Sequence, residues 1–222
     1  MEHFLSGNKR VPEPVDYRSE TVPLPFVSSV EELKQQATQQ QQSESSKKEP
    51  AAPASAEIDI SKLDIRVGVI TKAWLHEEAD KLFCEEIDLG EDGGPRQIAS
   101  GLRAYYNLED LEGQRVLVLA NLKSRKLVGF PSHGMVLCAS DDASGQVKFV
   151  EPPADAAIGE RVFVEGFEGE PATENQVMKK KMLDKIFPDL STNGEGVACY
   201  QGKPLETSAG PCLPSLPKAA VG

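Results

Sequence analysis

Lys123, Arg125 and Lys126 place three cations within four residues, with no acid between them, inside NLKSRKLVGFPSHGM (121–135). A nucleic-acid backbone favours such a cluster, because each cation that meets a phosphate releases condensed counterions. Ser132 and His133 add hydrogen-bonding groups. Phe130 and Met135 offer apolar surface on which an unpaired base can rest. A plain solvated loop fits the same residues, and both readings stand at this point.

The rest of the chain offers little competing chemistry. It holds no P-loop, no G-x-S-x-G and no HExxH, so no catalytic residue is expected. The acids of HEEADKLFCEEIDLGED (76–92), Glu85 and Glu86 among them, read as a solvated face rather than a catalytic pair. His76 and His133 have no evident nucleophile beside them. The cysteines Cys84, Cys138, Cys199 and Cys212 form no CxxC pair, and only three histidines exist. No metal site and no cofactor is therefore expected. Cys84 and Cys138 sit in strand-like runs and read as small buried hydrophobes in a reducing compartment. Asp64 and Arg66 form a simple ion pair at the start of a strand, on this reading.

The formal net charge is −11, which normally argues against nucleic acid, but charge here is unevenly placed. No apolar run approaches the ~20 residues that span a bilayer, and the first residues lack a signal-peptide core. A cytoplasmic protein without membrane contact is expected.

The elements that must position the basic loop are short strands. Leu63–Trp74 alternates apolar and polar in its first half. Leu82–Leu89, Arg96–Ser100, Val116–Ala120, Met135–Ala139, Val147–Val150 and Arg161–Phe167 follow, with a short helical stretch near Asn107–Leu111. The unbroken apolar run of Val116–Ala120 predicts burial on both faces. Strands at this spacing with Gly-containing turns suit a five-stranded OB-type Greek-key barrel over residues 58–168, and a sandwich fits the same pattern. Residues 169–222 read as an appended α+β subdomain that packs on the barrel, with a helix over Asn175–Phe187 that carries Lys179, Lys180, Lys181 and Lys185. Residues 1–57, rich in Gln, Ser, Ala and Pro, read as a largely disordered arm. Ser29 and Glu32 form a capping box that can open a helix over 29–42, either a linker or a docking element.

LDIRVG (63–68), HEEADKLF (76–83), ASGL (99–102), NLK (121–123) and GFPSHGM (129–135) stand in an order and spacing that resemble the tRNA-binding domain family. The likeness is to the eukaryotic form that ends in endothelial-monocyte-activating polypeptide II, and to the C-terminal tRNA-binding domains of methionyl- and tyrosyl-tRNA synthetases. It continues through Glu168–Pro171, Pro188–Leu190 and Cys199–Gly202. The resemblance implies a non-catalytic OB-fold module that reads tRNA by shape and backbone, with little base specificity, and assists an aminoacyl-tRNA synthetase. On this chain it implies contacts from Asn121, Lys123, Lys126, Ser132 and Met135, with Arg125 as a compensating cation, His133 ranked lower because its position varies in the family, and Arg103 and Arg66 in a second rank. Asn121 and Ser132 would donate to phosphate or sugar. Residues 1–57 would dock a synthetase, and the extension would mimic a dimer interface within a monomer. A scaffold subunit of a multi-synthetase assembly and an extracellular signalling polypeptide are the alternatives. Lys126-Leu-Val-Gly129 departs from the Lys-Met-Arg-Gly usual in animal relatives, which removes one cation from the loop.

Overall fold

β1 (Ile65–Leu75) is the hub of the fold. The computed structural model describes residues 58–222, so the arm at 1–57 and its expected helix lie outside the described residues. The first half of β1 pairs antiparallel with β4 (Arg115–Leu119), and its second half pairs with β2 (Phe83–Asp88). A register shift between Ile70 and Lys72 bends the strand from one partner to the other. β3 (Arg96–Ser100) pairs with β2, and the short β7 (Met135–Val136) pairs with β4, which gives the order β3-β2-β1-β4-β7. The two edges then meet. The His133 N–H donates to the Gln97 carbonyl at 2.9 Å, and the Ala99 N–H donates to Ser132 Oγ at 3.1 Å. The result is the expected five-stranded OB-type barrel.

Close approach fixes one glycine in this barrel. A Cβ on Gly68 would stand 2.7 Å from Leu89 Cδ2 and 2.8 Å from Ile87 Cγ2. Any other residue would push β1 away from the end of β2.

Every residue of Val116–Ala120 is buried, as its apolar run predicts. Val116, Val118 and Ala120 join Phe83, Ile87 and Ile98 in one core, inside the barrel. Leu117 and Leu119 belong to a second core with Ile65, Val67 and Leu137, on the outer face. Burying a Leu or Ile side chain contributes roughly 1.5–3 kcal/mol, so this outer face needs cover. The extension supplies it: Val177 of α1 (Glu174–Lys179), Met182 and Ile186 of α2 (Met182–Ile186), and Tyr200, Leu205 and Val221 complete the second core.

The chain after the barrel builds its own sheet. β8 (Cys138–Asp141) and β9 (Gln146–Phe149) join β10 (Leu190–Thr192), β11 (Ala198–Tyr200), β12 (Lys203–Pro204) and β15 (Ala220–Val221) in the order β12-β11-β10-β15-β8-β9. β13 (Glu206–Thr207) and β14 (Gly210–Pro211) form a separate hairpin. Strands from both sides of position 169 thus share one sheet.

Three expected elements differ. Met135–Ala139 is not one strand: it breaks at Leu137, because Met135 and Val136 pair with the barrel while Cys138 onward pairs with β9 and β15. Arg161–Phe167 is no strand, since its residues make only single bridges to two different places, Arg66↔Arg161 and Phe163↔Glu206. The helix over Asn175–Phe187 splits into α1 and α2 at Lys181, whose φ of 48° lies in the left-handed region. Among the described residues no helix is long and apolar enough to cross a membrane. All four cysteines are free and buried, and burial pushes the Cys138 and Cys212 thiols up to about 12.

Candidate nucleic-acid interface

The basic loop begins where β4 ends, and Asn121 fixes its root. The Asn121 Oδ1 accepts from the Asp64 N–H at 2.9 Å, and its Nδ2 donates to the Lys62 and Ala172 carbonyls, both at 2.9 Å. One side chain therefore ties the barrel, the chain that leads into β1 and the extension together. Ser132 fixes the other root. Its Oγ accepts from the Ala99 N–H and donates to the Gly134 carbonyl at 3.1 Å. Asn121 is 8% exposed and Ser132 is 3% exposed. These two were expected to donate to phosphate or sugar. In the structure the polar atoms of both side chains instead serve the protein's own backbone groups.

Arg96 closes the frame. Its Nη1 donates to the Ala120 carbonyl at 2.7 Å and to the His133 carbonyl at 3.0 Å, so it clamps both ends of the loop. Glu91 holds the same guanidinium through two bonds of 2.7 Å. That pairing keeps the Glu91 carboxyl below its usual range. Sequence reasoning missed Arg96, since an arginine after a Gly-Gly-Pro turn carries no signal of a clamp.

Between these roots the segment is a hairpin rather than an open loop. β5 (Arg125–Leu127) and β6 (Phe130–Ser132) pair Arg125 with Ser132 and Leu127 with Phe130. The turn is Val128-Gly129, with φ of 47° and 87°. Both central residues need positive φ in the two-residue turn that matches the twist of a hairpin. Glycine adopts it freely, whereas a β-branched valine does so at a cost. Phe130 packs edge-on against Trp74 and His76, with ring centroids 5.7 and 6.3 Å apart. It seats the hairpin on the end of β1, and its ring is only partly available to a base.

The remaining site residues divide sharply. Lys123, Arg125 and Lys126 are exposed, and among the described residues none of them makes an ion pair. His133 is exposed at the same edge. Met135 is half-buried and lines a cleft with Lys123, Arg125 and Lys181. Arg66 is held by Asp64, with Nε 3.0 Å from both carboxylate oxygens and Nη2 2.9 Å from Oδ2, which is the ion pair expected from the sequence. Arg103 donates to the Ala79 carbonyl at 3.3 Å and steadies the 76–82 loop. In that loop His76 is buried, and its Nδ1 accepts from the Glu78 and Ala79 N–H groups. The acidic run is not uniformly solvated either. Glu85 is fully buried, bonded to Ser100 Oγ at 2.5 Å through Oε1, while its Oε2 has no partner. Burial pushes the Glu85 carboxyl up to about 7.

The barrel residues 65–161 match the family model described as "Putative tRNA binding domain". The C-terminal domain of Plasmodium vivax p43 superposes with a TM-score of 0.69 at 36% identity, over 75% of this chain and all of that one. The chain belongs to the tRNA-binding domain family. Within that family it is 46% identical over 168 residues, 75% of its length, to the cytoplasmic methionine–tRNA ligase of Arabidopsis thaliana. It is 42% identical over 183 residues, 81% of its length, to the mouse (Mus musculus) aminoacyl tRNA synthase complex-interacting multifunctional protein 1. The chain spans 21% of the first and 58% of the second. The p43 likeness covers three quarters of the chain, so this branch of the tRNA-binding domain family shares more than the barrel.

Proposed function

We propose that this chain binds tRNA through the phosphate backbone and assists an aminoacyl-tRNA synthetase without catalysis of its own. The observation that carries this reading is the hairpin. Asn121, Ser132 and Arg96 hold its roots, so Lys123, Arg125 and Lys126, which make no ion pair among the described residues, project as cations from a preformed frame. Preformed donors lose little ordering entropy on binding. His133 lies at the same edge as a weaker contact, and Arg66 and Arg103 act mainly inside the protein. The relatives are a synthetase and a protein named for its interaction with a synthetase complex, which supports the partner class. Residues 1–57 serve as the docking arm, and the site of action is the cytoplasm. The second core covers the outer barrel face within one chain, which supports a monomer that gel filtration would verify.

A salt titration of tRNA binding tests the reading. Lys123→Ala and Lys126→Ala should each weaken binding and lower the salt slope by about one. Wild-type protein that fails to bind tRNA at low salt would sink it. A scaffold role is the second reading, favoured by the name of the mouse relative and by the net charge of −11. Deletion of 1–57 separates the two: in the scaffold case partner capture is lost while tRNA binding was weak from the start.

A further inference from the structure

The basic hairpin is one wall of a cleft whose other wall is the extension. The cleft holds about 540 Å³, within the range of small-ligand sites. Lys123 and Arg125 line it from the barrel side, and Lys181 lines it from the junction of α1 and α2. Lys181 reaches this place through the left-handed turn that breaks the helix, while the next residue, Met182, goes into the core at 3% exposure. The floor is apolar, formed by Leu122, Met135 and Met178. Met178 is 51% exposed although its neighbour Val177 is buried, so a thioether is left uncovered beside three cations. Two carboxylates, Glu174 and Asp184, line the extension side.

These groups are complementary to one chemical object. A planar apolar face beside clustered cations fits a base with its own phosphates, and methionine adapts to a flat aromatic surface. Cations on the hairpin side place the phosphates there, continuous with the backbone track of Lys126. The base then points its edge toward Glu174 and Asp184. Carboxylates accept from an exocyclic amino group, whereas uracil offers them only its N3–H, set between two carbonyl oxygens that repel them, so it is held less well. A duplex cannot fill the cleft, because its bases are stacked inside.

We propose that this cleft receives one unpaired nucleotide of the bound RNA, stacked on Met178 and Met135, with preference for an amino-bearing base over uracil. The proposal rests on the tRNA-binding reading above and deepens it, since it makes the extension a direct reader of RNA.

Fluorescence anisotropy of the full chain at low salt tests it, with a labelled RNA duplex that is blunt or carries one unpaired 3′ adenosine, cytidine or uridine. Adenosine and cytidine overhangs should bind roughly ten-fold more tightly than the blunt duplex, and uridine less so. Met178→Ala, an exposed change that leaves the core intact, should erase this gain while blunt-duplex binding stays within two-fold. Lys123→Ala should weaken all four RNAs together. Glu174→Gln with Asp184→Asn should keep the gain and abolish the discrimination against uridine. The proposal is overturned if the overhang gives no gain, or if Met178→Ala leaves the gain in place. Failure to bind any RNA, tRNA included, overturns the function itself, and so is distinct from failure of the subsite.

Discussion

Asn121 and Lys123 stand two residues apart in the sequence and belong to different worlds in the structure. The amide of Asn121 is buried and bonded to three backbone groups from two other parts of the chain. The ammonium of Lys123 is exposed and makes no ion pair among the described residues. The same contrast separates Ser132 from His133, and Glu85 from the exposed acids around it. The difference teaches that the recognition edge is built from two sets of residues. One set holds the frame, and the other presents charge. Polar residues that look alike as RNA contacts in a motif are therefore not equivalent.

The strongest way to break this comparison is Asn121→Leu. The Asp64 N–H and the Ala172 carbonyl lose their partner at once, at about 1–3 kcal/mol each, while the Lys62 carbonyl keeps the Ala172 N–H. A loss of roughly 4 kcal/mol in urea denaturation is expected. A loss under 1 kcal/mol would mean that the frame does not depend on Asn121.

Glu85 sharpens the comparison from the other side, as a buried polar group whose needs are only half met. Its folded pKa of about 7 lies above the ordinary carboxyl value of 4.5. Below that ordinary value both states hold the proton and the group is neutral to stability. As pH rises toward 7 the unfolded chain gives up its proton first, so stability falls, by roughly 3 kcal/mol in all, and levels off above 7. Urea midpoints measured from pH 4.5 to 8 should show this decline, and Glu85→Gln should flatten it. An unchanged slope in the variant would remove Glu85 as the cause. Because Glu85 is buried, it takes no part in keeping the surface from sticking to RNA. Surface acids are expected to limit non-specific RNA binding, so charge reversal at Glu86, half-exposed on the same strand, should raise it.

Smaller effects follow at the hairpin tip and rim. Val128→Asn puts a residue that tolerates positive φ at the turn, and should raise stability by about 1 kcal/mol without loss of hairpin structure. A destabilised variant would show that the Val128 side chain makes up for its backbone. Lys123→Ala should change the unfolding free energy in urea by less than about 0.5 kcal/mol while it weakens tRNA binding. Stability lost along with affinity would place Lys123 in the frame and dissolve the contrast.

Much of the fold is legible in the sequence. Alternation in β1 and the apolar run of β4 fixed which faces are buried, because period and hydrophobicity are local properties. The Asp64–Arg66 pair was readable for the same reason, since two residues apart on a strand share a face. Arg96 was not readable, because its partners Ala120 and His133 lie 24 and 37 residues away. The break at Leu137 and the failure of Arg161–Phe167 as a strand also depend on partners far along the chain. The departure at Leu127-Val128 first counted as a missing cation. The structure adds that Val128 sits at a turn position where a branched side chain is strained.

By itself the sequence determined a mainly β fold of short strands, a cluster of three cations between two of them, a lysine-bearing helical extension, and, through motif order, a likeness to the tRNA-binding domain family and its five-stranded barrel. Those follow from local pattern and motif order. Only the tertiary structure decided that Asn121 and Ser132 face inward, that Glu85 is buried, and that Lys181 shares a cleft with Lys123. Each of those depends on which distant backbone groups need a partner, and burial makes that need expensive to leave unmet.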